Sequence, residues 1–225
     1  NDSALIAFRT GQSDPIVNGL HVTGAHTDSP CLKIKPSPEI WKQNYLQLGV
    51  EVYGGALLYP WFDRDLSVAG RVDFQTKKGE LKSGLIDFSK PIGFIPSLAI
   101  HLNRTANDGH KINQQKELPP ILMQIGDKNK ISFNEILLKA VRKQASNKTA
   151  ERVLSHELML YDTQAPNLVG LNREFIASAR LDNLLSCYLA CHALIKSNKR
   201  NPSVLVCNDH EEVGSASTSG AQGPF

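Results

Sequence analysis

One short stretch near the C-terminal end of the sequence constrains the fold more than any other. Residues 202–207 (Pro-Ser-Val-Leu-Val-Cys) form an apolar, β-branched run that leads into Glu211 and Glu212. Such a run is typical of a strand buried on both faces. Adjacent strand residues point to opposite faces, so two glutamates that serve one site must lie beyond the strand, in a turn. Open α/β sheets usually place their functional residues at the C-terminal edge of the strands, which is where this turn would lie.

Paired glutamates suit a metal-dependent hydrolase. One carboxylate can bind the metal while the other accepts a proton from the attacking water. An isolated Glu-Glu pair is more often a solvated acidic turn. The choice between these two interpretations therefore depends on the rest of the chain.

Three further polar side chains stand at the ends of predicted elements. His26 and Asp28 follow a predicted strand and can face the same way, and Asp182 opens a predicted helix. An imidazole together with carboxylates suits a pair of Zn²⁺ or similar ions. Asp28 is better placed to fix the tautomer of His26 than to bind metal itself. Taken singly, His26 could be a core histidine, Asp182 a helix N-cap and Asp28 a turn residue.

The pattern of apolar and polar residues changes twice along the chain. Predicted strands at residues 4–8, 19–25 and 203–207 and a helix from residue 180 have an α/β pattern, whereas the middle alternates apolar with polar residues. The alternating segments are residues 32–35, 45–52, 68–74 and 81–88. A helix with a capping box at Ser132 and Glu135 lies in the same middle part. We therefore predict an α/β fold in which a β-rich, barrel-like domain (residues 29–177) is inserted into a sheet domain (residues 1–28 and 178–225).

Composition excludes several partners. The chain has 225 residues, of which 41% are hydrophobic and 21% charged, and its net charge of +3 is not concentrated in a basic cluster. No apolar run could span a bilayer, and no leader-like segment opens the sequence. The four cysteines lack the spacing of a secreted disulfide framework. These features predict a cytoplasmic protein without nucleic-acid or membrane partners.

Six motifs, read in order, resemble the M18 aminopeptidases (the aspartyl aminopeptidase family). They cover nearly the whole chain, and agreement by chance at this length is negligible. The motifs are residues 24–36 (GAHTDSPCLKIKP), 53–55 (YGG), 61–66 (WFDRDL), 98–104 (LAIHLNR), 180–184 (RLDNL) and 211–215 (EEVGS).

The resemblance implies a two-metal exopeptidase that removes an N-terminal residue, expected to be Asp or Glu, from peptides. By motif position, His26 is a ligand of one metal, Asp182 bridges both metals and Glu212 is a ligand of the other. Glu211 is the general base, and Asp28 is grouped with it as a catalytic residue that acts by fixing the His26 tautomer. The expected cofactor is a pair of Zn²⁺ ions, with Mn²⁺ or Co²⁺ as alternatives.

The resemblance also implies a particular architecture and assembly. A zinc-exopeptidase-like sheet domain would carry an inserted dimerisation domain, in a homo-oligomer built from dimers, with a dodecamer as one candidate. His101 would reach the substrate pocket of a neighbouring subunit, although a histidine confined to its own subunit is equally compatible with the sequence. The Asp182-Asn183 peptide is expected to be cis.

One departure from the family pattern leaves a second function open. The family supplies one further carboxylate ligand and one further histidine ligand from a segment beyond residue 225, and no histidine follows His210 in this sequence. An incomplete homologue that acts as a non-catalytic assembly subunit is therefore the alternative. Another amidohydrolase, such as a carboxypeptidase or deacetylase, is disfavoured by the match around Trp61 and His101. The sequence assigns no role to His210.

Overall fold

The chain divides into two compact units. The computed structural model describes residues 3–125, 131–144, 148–198 and 200–224. Unit 1 comprises Asn1–Pro30 and Ala165–Phe225, and unit 2 comprises Cys31–Gln164. The second division precedes the predicted boundary at residue 177. The reason is that strands at Asn167–Val169 and Phe175–Ala177 pair with each other rather than with the strands of unit 2.

Unit 1 is built on a three-stranded sheet whose middle strand leads to the turn that carries Glu211 and Glu212. Strand β1 (Leu5–Arg9) and strand β2 (His21–His26) lie on either side of strand β11 (Ser203–Asn208). β11 runs antiparallel to β1 and parallel to β2. The prediction that residues 22–25 and 204–207 share one sheet is therefore confirmed. β1 and β2 do not pair with each other, because each forms its hydrogen bonds with β11.

The link between β1 and β2 contains a short helix that the sequence analysis missed. Helix α1 (Pro15–Asn18) begins after Asp14, whose carboxylate accepts a hydrogen bond from the Ile16 amide at 2.8 Å. Pro15 at its first position is pre-set for a helix and has no amide hydrogen to leave unpaired.

Strand β11 is not buried on both faces as predicted. Leu205 and Cys207 are buried, whereas Val204 and Val206, which alternate with them, are only partly covered. This alternation is that of a strand with one well-covered face. Within the described residues, the other face of β11 lacks an equivalent cover.

Helix α4 (Leu181–Lys196) is also more exposed than its apolar pattern suggests. Leu184, Tyr188 and Leu189 have the spacing of one apolar, core-facing side of the helix, yet they are 42%, 59% and 56% exposed. The helix is anchored at its C-terminal end, where the Arg9 guanidinium donates to the carbonyls of Leu194 and Ile195 at 3.2 and 3.0 Å. These carbonyls belong to the last turn, which lacks intrahelical partners and attracts positive charge.

Unit 2 contains one antiparallel six-stranded sheet. Its strands are β3 (Cys31–Lys42), β4 (Tyr45–Tyr53), β5 (Leu66–Thr76), β6 (Leu81–Asp87), β7 (Ile121–Gln124) and β8 (Ala150–Asp162). Their order is β6-β5-β8-β3-β4-β7. Single bridges join Phe94 to Ile121 of β7 and Gly93 to Leu66 of β5. The β-rich character is as predicted, and closure into a barrel stays a prediction.

Two helices accompany this sheet. Helix α2 (Gln114–Glu117) is a single turn, and helix α3 (Phe133–Gln144) buries Phe133, Leu137 and Val141. The capping box is confirmed, since the Glu135 amide donates to Ser132 Oγ at 3.1 Å and the Ser132 amide donates to Glu135 Oε2 at 3.2 Å. The remaining two strands, in unit 1, are β9 (Asn167–Val169) and β10 (Phe175–Ala177). Among the described helices, none is both long and apolar enough to cross a membrane.

Candidate metal centre

The polar residues predicted for the site meet at one edge of the unit 1 sheet. His26 is the last residue of β2 and is paired with Asn208 at the end of β11. Because the two strands are parallel, their C-terminal ends reach the same edge. A 3₁₀ turn, Glu211–Val213, begins three residues after the end of β11 and brings both glutamates to His26.

The two ring nitrogens of His26 face different groups. Nδ1 lies 3.1 Å from the Asp28 carbonyl oxygen and 3.3 Å from Asp28 Oδ1. Both are acceptors, so Nδ1 carries the proton and donates. In the neutral ring Nε2 then holds the lone pair, and it faces Asp182 Oδ1 at 3.5 Å and Glu211 Oε2 at 3.9 Å. An imidazole oriented in this way is ready to bind a metal through Nε2.

Asp28 connects the histidine to the glutamate turn. Its carboxylate, only 7% exposed, accepts the Glu211 amide on Oδ1 at 3.2 Å and the Glu212 amide on Oδ2 at 3.1 Å. The contact with His26 matches the sequence prediction. The contacts with the two amides were not predicted, because nothing local in the sequence links Asp28 to a turn that lies so far along the chain.

His26, Glu211 and Glu212 form a compact set of ligand atoms, one from each residue, all within 4.8 Å of one another. Bonds of about 2.0 Å in a tetrahedral zinc site place neighbouring ligand atoms about 3.3 Å apart. Small side-chain movements would therefore bring this set into metal-binding geometry. One imidazole and two carboxylates are also a donor set that zinc accepts.

Asp182 lies beside this set but is held more loosely. Its side chain is 90% exposed, and Oδ1 approaches His26 Nε2. Its backbone is tied down by Ser29, whose hydroxyl donates to the Asp182 carbonyl at 3.1 Å. The Asp182-Asn183 peptide is cis, which confirms that expectation.

The compact set does not by itself separate ligand from base. It contains Glu211, which the resemblance assigns as the base, and leaves out Asp182, which the resemblance assigns as the bridging ligand. Glu211 is the more accessible of the two glutamates, with 56% of its side chain exposed, whereas Glu212 is half-buried. An accessible carboxylate can meet substrate and water, which suits a proton acceptor.

His101 belongs to unit 2 and is exposed. Its neighbours Ile100 and Leu102 are 48% and 74% exposed, in a segment composed of turns. His101 is therefore not part of the compact set formed in unit 1.

The sequence analysis missed a second group of side chains next to the glutamates. His210 Nδ1 lies 2.7 Å from Ser217 Oγ, and its Nε2 lies 3.4 Å from Asp209 Oδ2. The nearest sequence signal is the run of small residues after Glu212, which permits the tight return of the chain.

Unit 1 is an α/β fold that carries an imidazole and carboxylates at one edge of its sheet. This combination places the chain in the class of candidate metallohydrolases. A sequence model of the family described as Aminopeptidase I zinc metalloprotease (M18) matches residues 1–225. The chain belongs to this M18 peptidase family.

Individual relatives and solved structures agree with this membership. A probable M18 family aminopeptidase 2 of Pseudomonas putida is 57% identical over 225 residues, which is all of this chain and 52% of the relative. The chain thus spans about half the length of the curated relatives it matches. The structure of Chaetomium thermophilum mApe1 has a TM-score of 0.86 at 32% identity, over 100% of this chain and 53% of that one. An M18 aminopeptidase of Thermotoga maritima has a TM-score of 0.78 at 27% identity, over 99% and 49%.

Proposed function

We propose that the protein is a metal-dependent aminopeptidase that removes acidic N-terminal residues from peptides. The observation that carries the proposal is the compact set of His26, Glu211 and Glu212 in a chain of the M18 family. The preference for Asp or Glu rests on the sequence resemblance alone.

The residues of unit 1 are suited to hold zinc. His26 would bind through Nε2, Glu212 would bind a second ion and Asp182 would bridge the two. Bound zinc would polarise the scissile carbonyl and lower the pKa of the attacking water. A structural or catalytic zinc ion usually has four ligands, so each ion of the pair would need at least one ligand besides these three residues and a shared water. The further carboxylate and histidine implied by the resemblance would meet this need.

Glu211 is the proposed general base. Its exposed carboxylate lies 3.9 Å from His26 Nε2 and can accept a proton from the attacking water. The same carboxylate can then return the proton to the amine that leaves when the peptide bond breaks. Asp28 would act indirectly, since its carboxylate holds the His26 ring and both glutamate amides.

We further propose a homo-oligomer in which unit 2 makes the subunit contacts and His101 contributes to a neighbour's substrate pocket. The exposed apolar residues on both sides of His101 support a buried position in an assembly. One related solved structure, of S. cerevisiae mApe1, is described as a dodecamer, at a TM-score of 0.75 and 28% identity over 97% of this chain and 50% of that one.

A non-catalytic assembly subunit is the second candidate. Metal content separates the two candidates, because an assembly subunit would be isolated with almost no zinc.

The decisive experiment compares two variants of the full-length protein, using metal analysis and steady-state kinetics on peptides beginning with Asp, Glu, Ala or Leu. Glu211→Gln should retain its metal but lose about 10²–10⁴-fold in kcat with little change in KM, because only proton transfer is removed. Glu212→Ala should lose metal, and its activity should fall for that reason.

The control is Glu174→Gln, which alters an exposed carboxylate of unit 1 that accepts the Asn172 amide at 2.9 Å. It should keep both metal and activity. Metal loss in Glu211→Gln with retention in Glu212→Ala would reverse the two roles. Full activity in both variants would contradict the hydrolase proposal, and faster turnover of Ala or Leu peptides would contradict only the acidic preference.

A further inference from the structure

His210 occupies a special position directly before the two glutamates. Its backbone is left-handed, with φ 61° and ψ 25°, a conformation that histidine adopts more readily than β-branched or bulky residues do. Its side chain is 28% exposed, so most of the ring is enclosed by its surroundings. Neither the sequence nor the proposed mechanism assigns it a function.

The hydrogen bonds around the ring determine its tautomer. Ser217 Oγ accepts the Gly220 amide at 3.1 Å and can donate its own proton to His210 Nδ1 at 2.7 Å, with Ser219 Oγ as a second neighbour of Nδ1 at 3.4 Å. Nδ1 is then the acceptor, and the ring proton lies on Nε2, facing Asp209 Oδ2 at 3.4 Å.

Two backbone hydrogen bonds beside the ring join the two ends of the glutamate turn. The Ser215 amide donates to the His210 carbonyl at 2.8 Å, and the Asp209 amide donates to the Ser219 carbonyl at 3.0 Å. After β11 the chain therefore passes through the two glutamates and returns to lie against Asp209 and His210. On the other side of the turn, Asp28 holds the two glutamate amides.

We propose that His210 is a positioning residue that orients Glu211 and Glu212 toward His26 through its bond to Ser217. This inference rests on the proposed function, because it concerns how the same two glutamates are held. Replacing a side chain that orients metal ligands through hydrogen bonds typically lowers metal affinity or activity by about 10- to 100-fold.

A nucleophilic role for Ser217 is the competing explanation, since Ser, His and Asp also form catalytic triads. The geometry disfavours it. Asp209 adjoins His210 in sequence, and Ser217 Oγ already accepts an amide of its own loop. A role limited to folding is the other alternative.

The test uses the full-length protein with two variants. His210→Phe keeps an aromatic ring but removes the Nδ1 hydrogen bond to Ser217 and the Nε2 contact with Asp209, and Ser217→Ala removes the hydrogen-bond partner. Zinc affinity is measured by competition with a chelator, and kcat and KM are measured on an Asp-initiated peptide. Both variants should lose about 10- to 100-fold in zinc affinity or kcat, with KM nearly unchanged. His210→Asn, which tolerates the left-handed backbone and restores one polar group, should recover part of the loss.

The double variant and a control identify the route of the effect. If His210 acts through Ser217, the double variant should be no worse than His210→Phe alone. His192→Phe is the matched control. His192 is exposed on α4 and stacks on Tyr188 with ring centroids 4.3 Å apart, so this variant should behave as wild type.

Three outcomes would overturn the proposal. They are wild-type zinc affinity and kcat in Ser217→Ala, losses that multiply in the double variant, and covalent labelling of Ser217 by a fluorophosphonate. If His210→Phe does not fold, Ser217→Ala and His210→Asn still decide the question. If one of these outcomes is found while Glu211→Gln and Glu212→Ala show their expected losses, only the role proposed for His210 is wrong. Full activity in Glu211→Gln and Glu212→Ala would contradict the proposed function as well.

Discussion

Replacing Asp28 by asparagine tests the most connected side chain of the site. The carboxylate accepts the Glu211 amide on Oδ1 and the Glu212 amide on Oδ2. In Asp28→Asn one of these oxygens becomes an amide nitrogen, which cannot accept a hydrogen bond. Whichever way the new side chain is oriented, one glutamate amide then faces another donor.

The size of the effect follows from that single lost contact. A hydrogen bond to a charged group contributes about 1.5–3 kcal/mol, which corresponds to about 10- to 150-fold in an equilibrium constant. We expect a loss of this size in zinc affinity, because the displaced turn carries Glu212 and the His26 ring loses a charged partner. The measurement is a chelator competition on the full-length protein, with thermal unfolding recorded in parallel.

Asp14→Asn provides the matched control. Asp14 also accepts a backbone amide, that of Ile16, but it does so before helix α1, which leads into the start of β2 rather than the end where His26 lies. Its replacement should change zinc affinity by no more than roughly twofold, as for surface substitutions in general. Zinc affinity in Asp28→Asn as high as in Asp14→Asn would refute the reasoning.

Two further predictions concern unit 2. Burial lowers the pKa of His156, opposed in part by the Pro36 backbone, so the folded state resists protonation. The free energy of unfolding should therefore fall as the pH drops below about 6.5, because the unfolded chain gains a proton there that the folded chain does not. Urea unfolding at pH 5 and pH 7 measures this fall, which should be smaller in His156→Leu than in the wild type. The full-length protein should be a homo-oligomer by light scattering, and an active monomer at working concentration would contradict both the assembly and the role of His101.

The sequence alone determined the features that depend on neighbours along the chain. Strand β11 and the turn after it were predictable from an apolar run followed by two glutamates and a glycine. The capping box of α3 was predictable because Ser132 and Glu135 satisfy each other within one turn. Motifs in the order of the M18 family added the candidate site residues and the cis peptide bond between Asp182 and Asn183, of which the structure confirms the cis bond.

Tertiary structure decided the features that depend on distant partners. Strand β8 lies between β5 and β3, yet its sequence mixes charged and apolar residues on both faces, so no local pattern marks it as central. β1 and β2 are close in sequence, but each pairs with β11, which lies far along the chain. A strand can form its hydrogen bonds with a distant strand as well as with a near one, so closeness in sequence does not predict the pairing. The apolar pattern of α4 predicted a buried face, but burial depends on what packs against a helix, and the described residues leave that face exposed. For the same reason the bonds from Asp28 to the glutamate amides, and the His210–Ser217 contact beside them, became visible only once the chain was folded.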